Sequence, residues 1–221
     1  MIIFSPTIVR ENRRLLISSQ PISYLTYTND DRLLSDNIEF TRFFANHDPF
    51  GLRISSAVRL SATFPYILPT THLPSKPEIK LIDAGGRDNQ GNKITYRYLF
   101  ELREWINKNT SGVIILNIRD TEKKVGKTKK LDDRSIKTNV LSPISLPYQN
   151  FFALQDFIND EIYHYIKPYF NSIDQIDFSL SDKKQVSVNF HLTKKDKEVI
   201  LNDIYTEKNQ ASIKKLKELL K

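Results

Sequence analysis

The chain contains no cysteine, and this absence excludes several classes of protein. A disulfide-stabilised secreted scaffold, a thiolate zinc site, a cysteine nucleophile and a Cys-x-x-Cys redox motif all require cysteine, and the 221 residues include none. Long hydrophobic runs are missing too, because no apolar segment reaches the roughly 18 residues that span a bilayer. Residues 1–6 have no basic segment before their short apolar stretch, unlike a secretory signal. We therefore expect a cytoplasmic or peripheral membrane protein rather than a secreted one.

Glycine is scarce, and its placement is informative. The chain has six glycines, and three of them fall within residues 85–91. Aromatic residues are plentiful by contrast, with 13 Phe and 10 Tyr, which favours a folded core over disorder. The length is sufficient for one large domain or two small ones.

The net charge of +7 invites a nucleic-acid interpretation, but the charge is spread along the chain. Residues 1–120 hold 15 basic and 12 acidic side chains, which leaves 18 and 14 for residues 121–221. The densest basic run has no interleaved aromatic residues, so we expect a solvated loop and no nucleic-acid partner. An anionic membrane surface is the alternative partner for this run, since each lysine near acidic lipid contributes about 1 kcal/mol. Its lysines are Lys123, Lys124, Lys127, Lys129 and Lys130.

Periodicity predicts the elements of the first half of the chain. Residues 2–9 and 14–19 are expected to form strands joined by a charged turn. Ser35 is a candidate cap for a helix that ends near residue 46, and a second helix from about residue 52 must stop before Pro65. A proline-rich extended connector then leads to residue 77.

The middle of the chain predicts an α/β architecture. A strand at 78–82, an amphipathic helix at 95–108 and an apolar strand at 112–118, covered on both faces, form a parallel βαβ unit. Further along, the pattern predicts a helix over 150–169, strands over 176–180 and 185–192, and amphipathic helices over 194–221. Thr193 is the expected cap of the first of these last helices.

The glycine cluster follows the predicted strand at 78–82 and contains Asp83 at its start. Adjacent glycines after a buried strand indicate a forced turn at the strand's carboxyl end, where α/β sheets bind ligands. Asp83 is therefore a candidate general base, metal ligand or orienting acid, or else a turn residue that bonds backbone N–H groups. A metal is the weakest of these options, because Asp83 and Asp88 are five residues apart with no histidine nearby, and the segment lacks the acid-rich spacing of a calcium loop. The sequence has no Gly-x-Gly-x-x-Gly motif or P-loop, and we expect no cofactor and no metal.

Two segments resemble the carboxyl-terminal half of bacterial patatin-like phospholipases. The first is the Ser-Ala-Val-Arg-Leu-Ser-Ala-Thr-Phe-Pro stretch at 56–65, and the second is Asp-Ala-Gly-Gly-Arg-Asp-Asn at 83–89. Their pairing about twenty residues apart is more specific than either piece, and the resemblance is firm over residues 50–120.

This resemblance implies a three-layer α/β/α fold and a serine–aspartate dyad that cleaves acyl esters of lipids. Asp83 matches the dyad aspartate, and the neighbouring motif residues would shape its loop. Those residues are Gly85, Gly86, Asp88 and Asn89. The substrate implied is a lipid or another acyl ester.

The chain departs from the family pattern in its nucleophile. It contains no Gly-x-Ser-x-Gly elbow and no glycine-rich oxyanion loop before Asp83, and Ser55 and Ser56 lie in a helical pattern. In the family the elbow precedes the matched segments, so we expect the missing half of the catalytic domain upstream of Met1 and no activity from this chain alone. The alternative is a non-enzymatic module, derived from a patatin domain, that binds lipid or protein. The expected divisions are a catalytic part at 1–120, a basic loop at 121–148 and an α/β extension at 149–221.

Overall fold

The computed structural model describes residues 1–27, 35–63, 70–123, 152–181 and 191–221. The chain forms two compact units, Met1–Leu102 and Arg103–Lys221, and each is described by itself. Both units combine helices with strands, so the predicted α/β class is confirmed at this level. The predicted divisions at 120 and 148 concern segments of sequence and stay predictions.

The first unit is built on a six-stranded mixed sheet. The strands are Ile3–Phe4 (β1), Thr7–Ile8 (β2), Arg13–Ser18 (β3), Asn37–Glu39 (β4), Thr71–Leu73 (β5) and Ile79–Ile82 (β6). Five of them follow the order β1-β3-β2-β6-β5 through antiparallel pairs, and β4 runs parallel to β3. The predicted strands at 2–9 and 14–19 are confirmed as a hairpin, with Asn12 at a positive φ of 53° in its turn.

Short helices surround this sheet. They are Phe40–Phe43 (α1), Ile54–Ser61 (α2), Gly85–Asp88 (α3) and Asn92–Glu101 (α4), with 3₁₀ turns at Ser23–Leu25 and Pro49–Gly51. The main apolar core includes Leu15 and Leu81 from the sheet together with Phe40 and Leu60 from the helices. The prediction of a helix from about residue 52 is confirmed by α2, whereas residues 64–69 of the connector lie outside the described residues.

The prediction of one helix from Ser35 to residue 46 is wrong over its first half. Residues Asn37–Glu39 instead form β4, in parallel register with β3. The physical reason is tertiary: Asn37 and Glu39 are buried polar residues whose side chains bond to groups far along the chain. Strand pairing and these bonds outweigh the local helical pattern.

The predicted parallel βαβ unit over 78–118 is also wrong. β6 lies antiparallel to β2 and β5, and the next strand, Val113–Arg119 (β7), belongs to a separate sheet in the second unit. The amphipathic stretch between them forms two helices, α4 and Arg103–Asn109 (α5). Strands that follow one another along the chain usually share a sheet, and here they do not.

The second unit contains a parallel pair of strands, β7 and Ile173–Ser179 (β8), paired over seven residues. A helix at 152–166 (α6) lies between them in the chain, and Lys194–Asp203 (α7) and Glu207–Leu219 (α8) follow. These elements confirm the predicted helix near 150–169, the strand near 176–180 and the terminal helices. The predicted strand at 185–192 falls largely on residues outside the described ones.

Two details of this unit bear on the predictions. Thr193 caps α7 through a reciprocal pair of bonds with Asp196, as expected. The prediction that β7 is covered on both faces is wrong, because Leu116 is 49 % and Ile118 84 % exposed. An apolar run by itself does not distinguish a strand covered on two faces from one covered on a single face.

Candidate functional site

Asp83 lies immediately after β6, and its backbone is held by the end of α2. The Asp83 N–H donates to the Thr63 carbonyl at 3.0 Å, and the Ala84 N–H donates to the Ser61 carbonyl at 3.1 Å. The Thr7 hydroxyl donates to the Asp83 carbonyl at 3.3 Å from β2. The residues at the end of α2 and the residues that follow β6 are thus in direct contact at Asp83.

The Asp83 carboxylate is half-buried and only partly satisfied. Its Oδ1 accepts the Gly85 N–H at 2.6 Å, and within the described part of the chain its other oxygen has no hydrogen bond. Burial raises the pKa of Asp83 above its ordinary 3.8, and the bond from Gly85 offsets part of that rise. The turn role weighed from the sequence is therefore present, and it leaves one basic oxygen available.

The glycines of the loop differ in how much they are needed. A Cβ on Gly85 would lie 2.6 Å from Asp83 Oδ1 and 2.7 Å from Asn89 Oδ1, so a larger residue there would displace at least one of these two side chains. A Cβ on Gly86 would meet its nearest atom at 3.7 Å, an ordinary contact. Gly91 has a positive φ of 66° where the chain enters α4.

Asp88 belongs to the same loop, and its carboxylate contacts Arg14 and the start of α4. Its side chain is buried and its Oδ2 accepts the Ile94 N–H at 3.1 Å, at the start of α4. The Arg14 guanidinium lies 3.7 Å from the same oxygen. Burial raises the pKa of Asp88 despite these contacts. Its position is that of a structural group that fixes the end of the loop.

Arg14 and Asp36 form the support that the sequence did not reveal. The buried Arg14 side chain bonds Asp36 Oδ2 at 2.5 Å and Asn37 Oδ1 at 2.9 Å. Arg87 reaches the other Asp36 oxygen at 2.5 Å, and Lys93 lies 3.5 Å from Asp36. Burial favours a higher pKa for Asp36, but the three cations outweigh it and lower the pKa. Arg14 is the first residue of the second predicted strand, next to the charged turn, and no local pattern in the sequence marks its side chain as buried.

The other candidate residues belong to other elements of the structure. Ser55 and Ser56 are in α2, as the helical pattern predicted. Lys123 forms an ion pair with Asp160 in the second unit, whereas Lys124, Lys127, Lys129 and Lys130 lie outside the described residues. His47 is exposed and contacts the Phe44 ring, with ring centroids 5.9 Å apart.

Metal-binding clusters and membrane-spanning helices are absent from the described part of the chain. Those residues include no group of three His, Asp or Glu side chains that could hold a metal ion. None of their helices combines the length and apolar character needed to cross a membrane.

The arrangement at Asp83 can perform one kind of chemistry without help from a metal. A half-buried carboxylate with a raised pKa and one open oxygen can accept a proton from a hydroxyl brought to it.

No protein-family model matches the chain, and comparisons with curated proteins and with solved structures find no match either.

Proposed function

We propose that Asp83 is the proton-accepting carboxylate of a patatin-like serine–aspartate dyad. In this proposal the chain is the aspartate-bearing part of a three-layer α/β/α lipid acyl hydrolase. The observation that carries the proposal is the junction at Asp83, where the backbone bonds to Ser61 and Thr63 join the two motif segments. Two segments about twenty residues apart that resemble one family and also touch at Asp83 support the proposal more than either segment does.

The chemistry follows from the carboxylate. A serine hydroxyl attacks the carbonyl carbon of the ester while its proton passes to Asp83, and the proton then goes to the departing alkoxide. Water then attacks the acyl-enzyme and gives its proton to Asp83. Asp83 returns that proton to the serine oxygen as the carboxylic acid is released. A raised pKa makes Asp83 a stronger base than an ordinary carboxylate. In the dyad that the resemblance implies, the aspartate accepts the serine proton without a histidine intermediary.

The nucleophile and oxyanion hole are proposed to come from a polypeptide outside these 221 residues. The sequence contains no Gly-x-Ser-x-Gly segment. Ser55 and Ser56 lie in the regular helix α2, which lacks the sharp strand-to-helix turn that exposes a nucleophilic serine. The chain by itself should therefore not hydrolyse p-nitrophenyl esters, and turnover abolished by Asp83→Asn would refute the claim of a missing nucleophile.

The positive test joins the Gly-x-Ser-x-Gly half of an active patatin-like hydrolase to the front of this chain. Turnover of p-nitrophenyl butyrate by the fusion should fall at least about 10³-fold in Asp83→Asn, or about 4 kcal/mol of transition-state stabilisation. Asp120→Asn is the matched control, because Asp120 is exposed and, among the described residues, its carboxylate accepts one hydrogen bond, from the Thr121 hydroxyl. A folded, active fusion that is indifferent to Asp83→Asn would overturn the proposal. A folded but inactive fusion would favour the non-enzymatic module.

The anionic membrane surface is retained as a proposed partner of the basic run. Lys123 has Asp160 as its partner, so the remaining four lysines would carry any lipid contact. Sedimentation with vesicles should show preference for anionic over neutral lipid, lost on changing those four lysines to glutamine. Equal sedimentation with both lipids would remove this partner.

A further inference from the structure

A groove in the first unit lies apart from the Asp83 loop. It has a volume of about 1260 Å³ and is bordered by the β2–β3 turn, the β4–α1 segment and the β5–β6 turn. Asp83 does not line it. Ligand pockets for molecules of drug size occupy about 300–1,000 Å³, so the groove is large enough for an extended small molecule.

The described residues that line the groove carry an excess of positive charge. Five of them are arginines or lysines and three are glutamates, which leaves two cations in excess when His47 is not counted. The cations are Arg10, Arg13, Arg42, Lys76 and Lys80, and the glutamates are Glu11, Glu39 and Glu78.

All three glutamates already have partners. Glu11 lies 3.5 Å from Arg13, and Glu78 is bonded to His72. The buried Glu39 accepts one backbone N–H and two hydroxyl groups. Among the described residues, four groove cations have no carboxylate partner: Arg10, Arg42, Lys76 and Lys80.

The uncharged lining is mixed, and apolar residues are in the majority among the described residues. Its polar members are Thr26, Ser35, Asn37, His47 and Ser75. Ile8 and Phe44 are buried, and Ile38 and Ile79 pack against the same core. Phe43 lines the groove with 47 % of its surface exposed. A lining that combines cations with apolar residues complements a molecule that has an anionic head and a hydrocarbon chain.

We propose that this groove binds a long-chain fatty acid, with the carboxylate against the unpaired cations and the acyl chain along the apolar residues. The aliphatic lining favours hydrocarbon over a nucleotide or a phosphopeptide, whose bodies are polar. The proposal uses none of the residues of the Asp83 site, although a fatty acid is also the acid that ester hydrolysis releases.

The test uses the whole chain and displacement of a fluorescent fatty acid, dansyl-undecanoic acid. Oleate should displace it at a single saturable site, and oleyl alcohol should bind at least about tenfold more weakly because it lacks the charge. Inorganic phosphate should not compete. Oleyl alcohol equal to oleate would overturn the proposal, and so would tighter binding of oleoyl lysophosphatidic acid, which would assign the groove to a phosphate headgroup.

Variants locate the site. Arg42→Gln and Lys80→Gln should each weaken oleate about threefold, the effect of one partly exposed charge. Arg53→Gln is the matched control, since Arg53 is an exposed arginine of the same unit that does not line the groove. Unchanged binding in both groove variants, or equal loss in the control, would contradict the assignment.

Two phenylalanine variants test whether apolar contact contributes to oleate binding. Phe43→Ser should weaken oleate severalfold, whereas Phe50→Ser, at an exposed phenylalanine outside the groove, should not. Asp83→Asn should leave oleate binding intact, so a failed acyl-hydrolase test and a failed groove test remain distinguishable. Thermal melting of each variant shows that it is folded before its affinity is compared.

Discussion

Asp36 holds together the charged residues next to the Asp83 loop, and its removal gives a quantitative test of the fold. The carboxylate contacts Arg14 of β3 and Arg87 of α3, each at 2.5 Å. The Arg14 side chain is only 3 % exposed. Asp36→Asn would leave that buried guanidinium with Asn37 and the more distant Asp88 alone.

The expected loss follows from this burial. Breaking a fully buried ion pair by removing one partner costs about 3–5 kcal/mol. Asp36 is 31 % exposed, so solvent screening reduces the expected loss in the free energy of unfolding to about 2 kcal/mol. At this chain length, that loss corresponds to a melting temperature lower by about 4–8 °C.

The pH dependence has a definite sign. The cations lower the pKa of folded Asp36 below its ordinary 3.8, so its ionised form is the one that stabilises the fold. This contribution is complete above pH 3.8 and is lost as the pH falls through the lower folded-state pKa. The difference between wild type and Asp36→Asn should therefore shrink below about pH 4.

Urea unfolding at pH 7 and at pH 3.5 measures both effects. Lys93→Gln is the control, because Lys93 contacts the same carboxylate at 3.5 Å but is 43 % exposed. It should cost less than about 0.5 kcal/mol. An Asp36→Asn loss no greater than that of the control, or a difference that grows towards low pH, would refute the reasoning.

Two further substitutions test the loop and the last helices. Gly85→Ala should displace the Asp83 and Asn89 side chains and lower the free energy of unfolding by about 1–2 kcal/mol. In the same urea experiment, Gly86→Ala should change the free energy of unfolding by less than about 0.5 kcal/mol. Equal effects of the two substitutions would contradict the close packing at Gly85. Thr193→Ala removes the capping box of α7 and should cost about 1 kcal/mol. Amide exchange in α7 should accelerate in that variant and not in Lys195→Ala, at an exposed position of the same helix; protection unchanged by Thr193→Ala would argue against the cap.

Local signals in the sequence were sufficient for the elements that depend on local chemistry. The hairpin around Asn12, the helix α2 and the Thr193 cap are set by turn propensity, periodicity and side-chain capping. The position of Asp83 after β6 followed in the same way, from a buried strand and the glycines behind it.

Features that depend on partners far along the chain were not predicted. Asn37 and Glu39 appeared helical because their buried partners, Arg14 and the Ser23–Leu25 turn, are brought to them only by the fold. The prediction of strand pairing was wrong for a similar reason, because no local feature of the sequence shows that β6 pairs with β2 rather than with β7. The groove likewise collects cations from three separate segments.

The pH profile of kcat/KM for the fusion enzyme tests the central claim most directly. If Asp83 accepts the proton, activity should fall on the acid side with an apparent pKa above the ordinary 3.8 of an aspartate, because burial raises the pKa of Asp83. Asp83→Asn should remove this acid limb together with most of the rate. An acid limb at or below pH 3.8, or one that persists unchanged in Asp83→Asn, would contradict the account.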